Sequence, residues 1–362
     1  MATIDTDRSA ELAERLRRYH GVGLDRVLEV IDYLRDEGDS VLVGGSLAYG
    51  LGNHRSDLDI VVAAPADGES SSRMPLEHFV DSLRVDVWKL RENELEDLFA
   101  RARDGLASEA PFEGAFGDVF EQADLKLLHR VAYGVVIDGP PVLGGAGGAN
   151  ADVARDLLVR EYAERARHSI LVAQLAVAAG RPKAATINAR LAIEEALTAL
   201  VSARGLPFSD NKWLQVRLAG EASDLRGLYD AFAVLPASDR EAAGFVARAV
   251  ATAQRLLGLD LAVAALAADA GWECERLRLY AAGELRVLVG AADDVVFELS
   301  AAEADAWAAL GPDPRPRCAD CDPTQGSILF GLYAAGMARL RWARGLPPAE
   351  LTIEGEVRDG RD

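Results

Sequence analysis

The sequence is poor in several things that would each have named a function class. Only three cysteines occur in 362 residues, Cys274, Cys318 and Cys321, so a disulfide framework is not expected and a reducing cytoplasm is the expected compartment. No apolar run approaches the roughly 18 residues that a membrane-spanning helix needs. The first residues, "MATIDTDRSAELAERL", are polar and charged, unlike a signal peptide. Basic residues are also short: 39 Lys and Arg stand against 58 Asp and Glu, a formal net charge of −19. A long DNA or RNA footprint needs a basic stripe, so nucleic acid is not an expected partner, although a small basic pocket stays open. Aromatics make up 6 %, and none interleave with basic residues to track a single strand.

What is present is a long, half-hydrophobic chain with room for two or three cores. Residues 7–37 read as two helices parted near Gly21–Gly23. The second sets Val27, Leu28, Val30, Ile31 and Leu34 at helical spacing. Short β segments follow at Ser40–Val43, Leu58–Ala63 and Leu83–Leu90, with the polar loop "PADGESSSRM" before the last. Helical patterns cover about 91–106 and 117–131. A fourth strand is expected within "VAYGVVIDGPP", and "GGAGGAN" (Gly144–Asn150) reads as a linker.

The predicted fold class is α+β: a small mixed-sheet domain over 1–143, an alanine- and leucine-rich bundle of about five helices over 151–270, and a small α+β, winged-helix-like module over 272–355. In the module, "ERLRLYAAGELRVLVGAADDVVFELS" reads as two or three strands turning at Gly283 and Gly290. Ser300 with Glu303 reads as a helix cap, followed by a helix near 325–336 and the strand-like "MARLRWA".

The stretch "VLVGGSLAYGLGNHRSDLDIVV" (Val41–Val62) carries the chemistry. On a strand, residues i and i+2 share a face, so Asp57 and Asp59 point together while Leu58 and Ile60 point to the core. Paired carboxylates repel and pay for desolvation unless a cation compensates. "LRVDVW" offers a third acid, Asp86, opposite in direction to Leu83, Val85 and Val87. If its strand lies beside the first, three carboxylates converge, a set of hard oxygens suited to Mg²⁺, with two ions expected. Gly44 and Gly45 allow close backbone approach, and Ser46 with the amides of the following helix forms a phosphate cradle.

"GGSLAYG", then "SDLDI", then "VDV" resembles the signature of the DNA polymerase beta-like nucleotidyltransferase superfamily, most closely its minimal and aminoglycoside-type members, over about residues 25–140. The resemblance implies an enzyme that moves NMP, with ATP the expected donor, onto a hydroxyl and releases pyrophosphate. It implies Asp57, Asp59 and Asp86 as the catalytic, metal-binding acids, and Gly44, Gly45, Ser46, Arg55 and Ser56 around the nucleotide. Asp86 is also a candidate base; Glu121 and Asp124 are runners-up, with exposed helix carboxylates as their alternative. Tyr49 departs from the pattern, standing where many members have a basic residue.

Further along, Arg190 faces either phosphate or its helix neighbour Glu194, and Lys212 in "SDNKW" reaches the triphosphate or simply opens a helix over Trp213. His54 lies in the same span as Arg55 and touches substrate or only solvent. Cys318-x-x-Cys321 lacks the four ligands of a zinc site, so two reduced thiols are the default. The acceptor is expected to be a small molecule. A peptide or protein acceptor, as in antitoxin-like transferases, or a nucleotide-binding protein without turnover, are the alternatives. Related small transferases pair to complete a site, which makes a homodimer a further expectation, though no apolar seam decides it.

Overall fold

A computed structural model describes residues 6–68, 74–112, 122–144, 148–258, 263–274, 277–282, 285–290, 296–311 and 314–345. Glu121, part of the helix expected from 117, the centre of the Gly144–Asn150 linker and the turn at Gly283 lie outside those residues. The chain divides into two compact units. The first comprises Met1–Ser108, Glu113–Val159 and Val201–Gly220; the second comprises Glu109–Phe112, Arg160–Leu200 and Glu221–Asp362.

The first unit opens with α1 (Thr6–His20) and α2 (Leu24–Ile31), the latter ending in a 3₁₀ turn rather than running to residue 37. There follow β1 (Ser40–Gly44), the single-turn α3 (Gly45–Ala48), β2 (Leu58–Ala64), β3 (Leu76–Val80), β4 (Leu83–Arg91), α4 (Glu92–Ala107), α5 (Gln122–Tyr133) and β5 (Val135–Asp138). The sheet runs β3-β4-β2-β1-β5. Only β2 and β4 are parallel; the other pairs are antiparallel. Sequence reading anticipated β1, β2, β4 and β5 but not β3, which lies at the sheet edge.

Alternation fixes the register. Leu58, Ile60 and Val62 are 0 % exposed and pack with Val41, Val43, Val85 and Val87 against Leu12, Leu16, Val27 and Ile31 of the first two helices. Burying a Leu or Ile side chain contributes roughly 1.5–3 kcal/mol. A one-residue slip would trade those contributions for buried carboxylates, so the acids are committed to the opposite face. That face carries α4 and α5.

The second unit takes most of α6 (Ala149–Ala178) and α7 (Pro182–Ala203), then α9 (Arg226–Phe232), α10 (Asp239–Leu256) and α11 (Val263–Asp269), while α8 (Leu214–Ala219) belongs to the first unit. The alanine-rich region between 149 and 270 thus holds six described α-helices rather than about five. Beyond it lie β6 (Ala270–Cys274), β7 (Arg278–Ala282), β8 (Leu285–Val289), β9 (Val296–Leu299), α12 (Ala301–Ala309), α13 (Pro323–Ala334) and β10 (Ala338–Trp342). β7-β8-β9 form an antiparallel sheet, and β6 pairs antiparallel with β10. The cap expected at Ser300 forms: its hydroxyl accepts from the Glu303 amide and the Glu303 carboxylate accepts from the Ser300 amide. Among the described residues no helix is long and apolar enough to cross a membrane.

Candidate active site

Four strands contribute one residue each to a single row across the sheet. Gly44 of β1 stands opposite Asp59 of β2, Asp59 opposite Asp86 of β4, and Asp86 opposite Glu77 of β3. Directly opposed residues share a face, so Asp59, Asp86 and Glu77 project together. Asp57 lies just before β2 and is exposed, whereas Asp59 and Asp86 are only 6 % and 7 % exposed. Burial raises the Asp59 pKa above the ordinary carboxylate range. Asp57 and Asp86 add to that rise, and Arg130 works against it.

Two arginines hold this charge. Arg130 of α5 meets Asp59 at 2.8 Å and lies over the Trp88 ring, 4.4 Å from its centroid. Arg84 spans the other side, 3.0 Å from Asp86 and 3.1 Å from Glu77. Arg84, Asp86 and Trp88 alternate on one face of β4, which explains how both guanidiniums reach the row. Glu77, Arg84 and Arg130 escaped the sequence reading. Arg84 stood two residues from Asp86 and could have been noticed, but Glu77 needs the unrecognised β3 and Arg130 needs the packing of α5.

The glycine turn is built against the acids. Gly45 has φ +71°, and a Cβ there would lie 1.9 Å from an Asp59 carboxylate oxygen. A Cβ on Gly44 would lie 2.7 Å from the Arg130 Cβ. Both positions therefore exclude a side chain, one for the carboxylate and one for the helix that delivers its partner. Ser46 is half-buried, and its carbonyl accepts from the amides of Leu51 and Gly52 at 2.9 and 2.8 Å, curling the chain back toward β2. Because α3 has four residues, any phosphate at this turn would meet local amides rather than a long helix's dipole.

Tyr49 is turned toward α5. Its hydroxyl donates to the His129 carbonyl at 2.9 Å, and the two rings meet edge-on with centroids 4.7 Å apart. Burial raises the Tyr49 pKa and lowers that of His129 to about 3, so this pair is a neutral prop between α3 and α5. Asp124, one of the runner-up bases, is 5 % exposed on α5 rather than a solvated helix carboxylate.

Among the remaining nucleotide candidates, Ser56 closes its own turn, its hydroxyl accepting from the Asn53 amide at 3.0 Å. Arg55 and His54 are exposed in that turn. Lys212 pairs with Asp210 at 3.2 Å and lies 5.5 Å over the Trp213 ring, in the segment that belongs to the first unit. Arg190 belongs to the second unit and pairs with Glu194 at 3.0 Å. The Cys318 and Cys321 thiols are pushed up to about 12 and about 11 by burial, which keeps them protonated at neutral pH.

Asp57, Asp59 and Asp86 have the chemistry to hold Mg²⁺: hard carboxylates, two in adjacent register and the third two residues away, with a glycine turn against one of them. In the present arrangement, however, no three side chains among the described residues form a metal-ligand group. Asp59 meets Arg130 through one carboxylate oxygen, and Asp86 meets Arg84 through both.

Comparison with known proteins agrees with this geometry. A family model described as a nucleotidyltransferase domain matches residues 24–110, which contain the turn and all three acids. No curated protein matches the chain. Among solved structures, a nucleotidyltransferase-like protein from Exiguobacterium sibiricum 255-15 is similar at 14 % identity, over 65 % of this chain and 76 % of that one. Its TM-score is 0.29, an overlay too loose to bear on the site. With its glycine turn and acid row on one mixed sheet, the segment 24–110 carries a nucleotidyltransferase domain.

Proposed function

We propose that this domain transfers AMP from ATP to a hydroxyl of a small-molecule acceptor, with release of pyrophosphate. The observation that carries the reading is the row Gly44, Asp59, Asp86, with Gly45 pressed against the Asp59 carboxylate. A phosphate chain laid in the turn would run beside the acids, as nucleotide chemistry needs.

In this reading the amides around Gly44 and Gly45 and the Ser46 hydroxyl hold the β- and γ-phosphates, with Arg55 and Lys212 as further contacts. Asp57, Asp59 and Asp86 would hold Mg²⁺, which when bound neutralises charge on the attacking and leaving oxygens. Asp86 accepts the proton of the acceptor hydroxyl. The hydroxyl oxygen bonds to the α-phosphorus, the bond from that phosphorus to the bridging oxygen breaks, and pyrophosphate carries the electron pair away. Arg130 and Arg84, paired with Asp59 and Asp86, keep the emptied site from holding uncompensated charge between turnovers.

Isotope position tests the reading. With ATP labelled at the α-phosphorus, label should appear on the acceptor; with γ-labelled ATP it should appear only in pyrophosphate. Label moving from the γ-position to the acceptor would make the enzyme a kinase and overturn the assignment.

A further inference from the structure

The two oxygens of the Asp59 carboxylate have different surroundings. Oδ1 lies 2.8 Å from a terminal nitrogen of Arg130. Oδ2 faces the glycine turn so closely that a Cβ built on Gly45 would lie 1.9 Å from it. The torsion that turns an aspartate carboxylate is broad and roughly two-fold, so rotation alone keeps neither oxygen at the turn. A bond to one oxygen fixes where the other lies.

Arg130 is itself held in place. Its guanidinium lies over the Trp88 ring, 4.4 Å from the centroid, and Trp88, two residues after Asp86 on β4, is 7 % exposed. Stacking on an aromatic face sets the plane of a guanidinium, a constraint that a lysine ammonium does not feel. The main chain is pinned as well. The carbonyl of the preceding residue, His129, accepts from the hydroxyl of Tyr49, the residue that caps α3, at 2.9 Å. Gly44 completes the seat: a Cβ there would lie 2.7 Å from the Arg130 Cβ and 3.0 Å from its Cα, so glycine lets α5 approach β1 this closely.

Residues of β1, α3 and β4 thus converge on the one side chain of α5 that meets Asp59. Charge compensation needs only proximity, as in the half-exposed pair of Arg226 and Asp230 at 2.9 Å. The frame around Arg130 fixes direction too.

We propose that Arg130 is a positioning residue: it grips Asp59 by Oδ1 and so keeps Oδ2 aimed at the Gly44–Gly45 turn, where a metal-bound phosphate would lie. This rests on the reading of the row as a metal–nucleotide site; the direction of Asp59, and not only its charge, is then set by α5.

The test combines a structural and a kinetic readout on the full chain. Mn²⁺ alone, added without nucleotide, broadens amide NMR signals steeply with proximity. It should broaden the Gly45 amide signal strongly in the wild type. At equal Mn²⁺ occupancy it should broaden that signal markedly less in Arg130→Met, the ion having followed the turned carboxylate. Arg130→Lys, which keeps the charge without the planar fork, should fall between the two. In steady-state transfer, Arg130→Met should lose about a hundredfold in kcat and Arg130→Lys about tenfold, with the KM for ATP changed by less than about threefold. A merely structural role would lower the fraction of active protein and leave kcat and KM of that fraction unchanged. A merely electrostatic role would let lysine restore kcat. Either of those results, or equal broadening of Gly45 in all three proteins, overturns the proposal. A wild type that shows neither Mn²⁺ broadening at Gly45 nor transfer overturns the metal–nucleotide reading itself, and the positioning role with it.

Discussion

The acid row of the first unit and the arginines around Glu273 and Asp269 in the second show opposite arrangements of charge and burial. In the row, Asp59 and Asp86 are nearly buried and each is met by an arginine, yet the Asp59 pKa is still raised. In the second unit, Arg315 and Arg344 are 66 % and 82 % exposed and lie beside Glu273 and Asp269 respectively. Buried charge is expensive to desolvate, whereas exposed charge is cheap and screened by salt.

That contrast can be broken most severely at the row. Asp57→Asn/Asp59→Asn should lower nucleotide transfer by roughly three orders of magnitude, since it removes charge from the reacting centre; a loss below tenfold in a steady-state assay would remove the row from catalysis. Arg130→Met should destabilise the nucleotide-free protein by about 3 kcal/mol in denaturant melts, because it strands Asp59. The same variant should gain more thermal stability from Mg²⁺ and ATP than the wild type does, since the cation replaces the missing partner. An equal or smaller gain would mean that the metal does not compensate Asp59.

A milder test follows from a buried carboxyl that no proposed step uses. Glu195 accepts from the Ser169 hydroxyl at 2.7 Å, and burial raises its pKa to about 7. Because the folded state holds this proton more tightly than the unfolded chain, stability is lost as pH rises from the ordinary carboxylate value through about 7. Glu195→Gln should therefore match the wild type near pH 4 and become more stable than it by about 2–3 kcal/mol above pH 8. A difference independent of pH would contradict the assignment. By the same sign, Asp59→Asn should raise the midpoint of the nucleotide-free protein at neutral pH, with the gain fading on acidification. It should do so while abolishing transfer, the signature of charge kept for function.

The legible parts of the molecule were those in which local pattern decides. The alternation around Leu58 and Leu83 sets β2 and β4 within a residue of their observed limits, and Ser300 with Glu303 announces its cap. β3 escaped because Leu76, Glu77 and Phe79 are all exposed, so this edge strand has no buried alternation to read. The spacing of Asp57 and Asp59 pointed to a cation, and Asp86 to a third acid on a neighbouring strand. What spacing could not supply was the partner list. Arg130 reaches Asp59 through the packing of α5 on the sheet, and Glu77 joins the row only through register with β4. What Tyr49 does was hidden because its bond to His129 spans eighty residues of sequence. Arg315 and Arg317 sit on one segment and Arg341 and Arg344 on another, and spacing could not show that β6 joins the two.

The central claim is that the row and its glycine turn form a metal–nucleotide site. It is tested most directly by thermal melts of the wild type and of Asp57→Asn/Asp59→Asn with each of the four NTPs, with and without Mg²⁺. The account predicts a shift in the wild type that requires Mg²⁺, is largest with ATP, and is absent from the double variant. An equal shift in the double variant, or none with any NTP in the wild type, would contradict it.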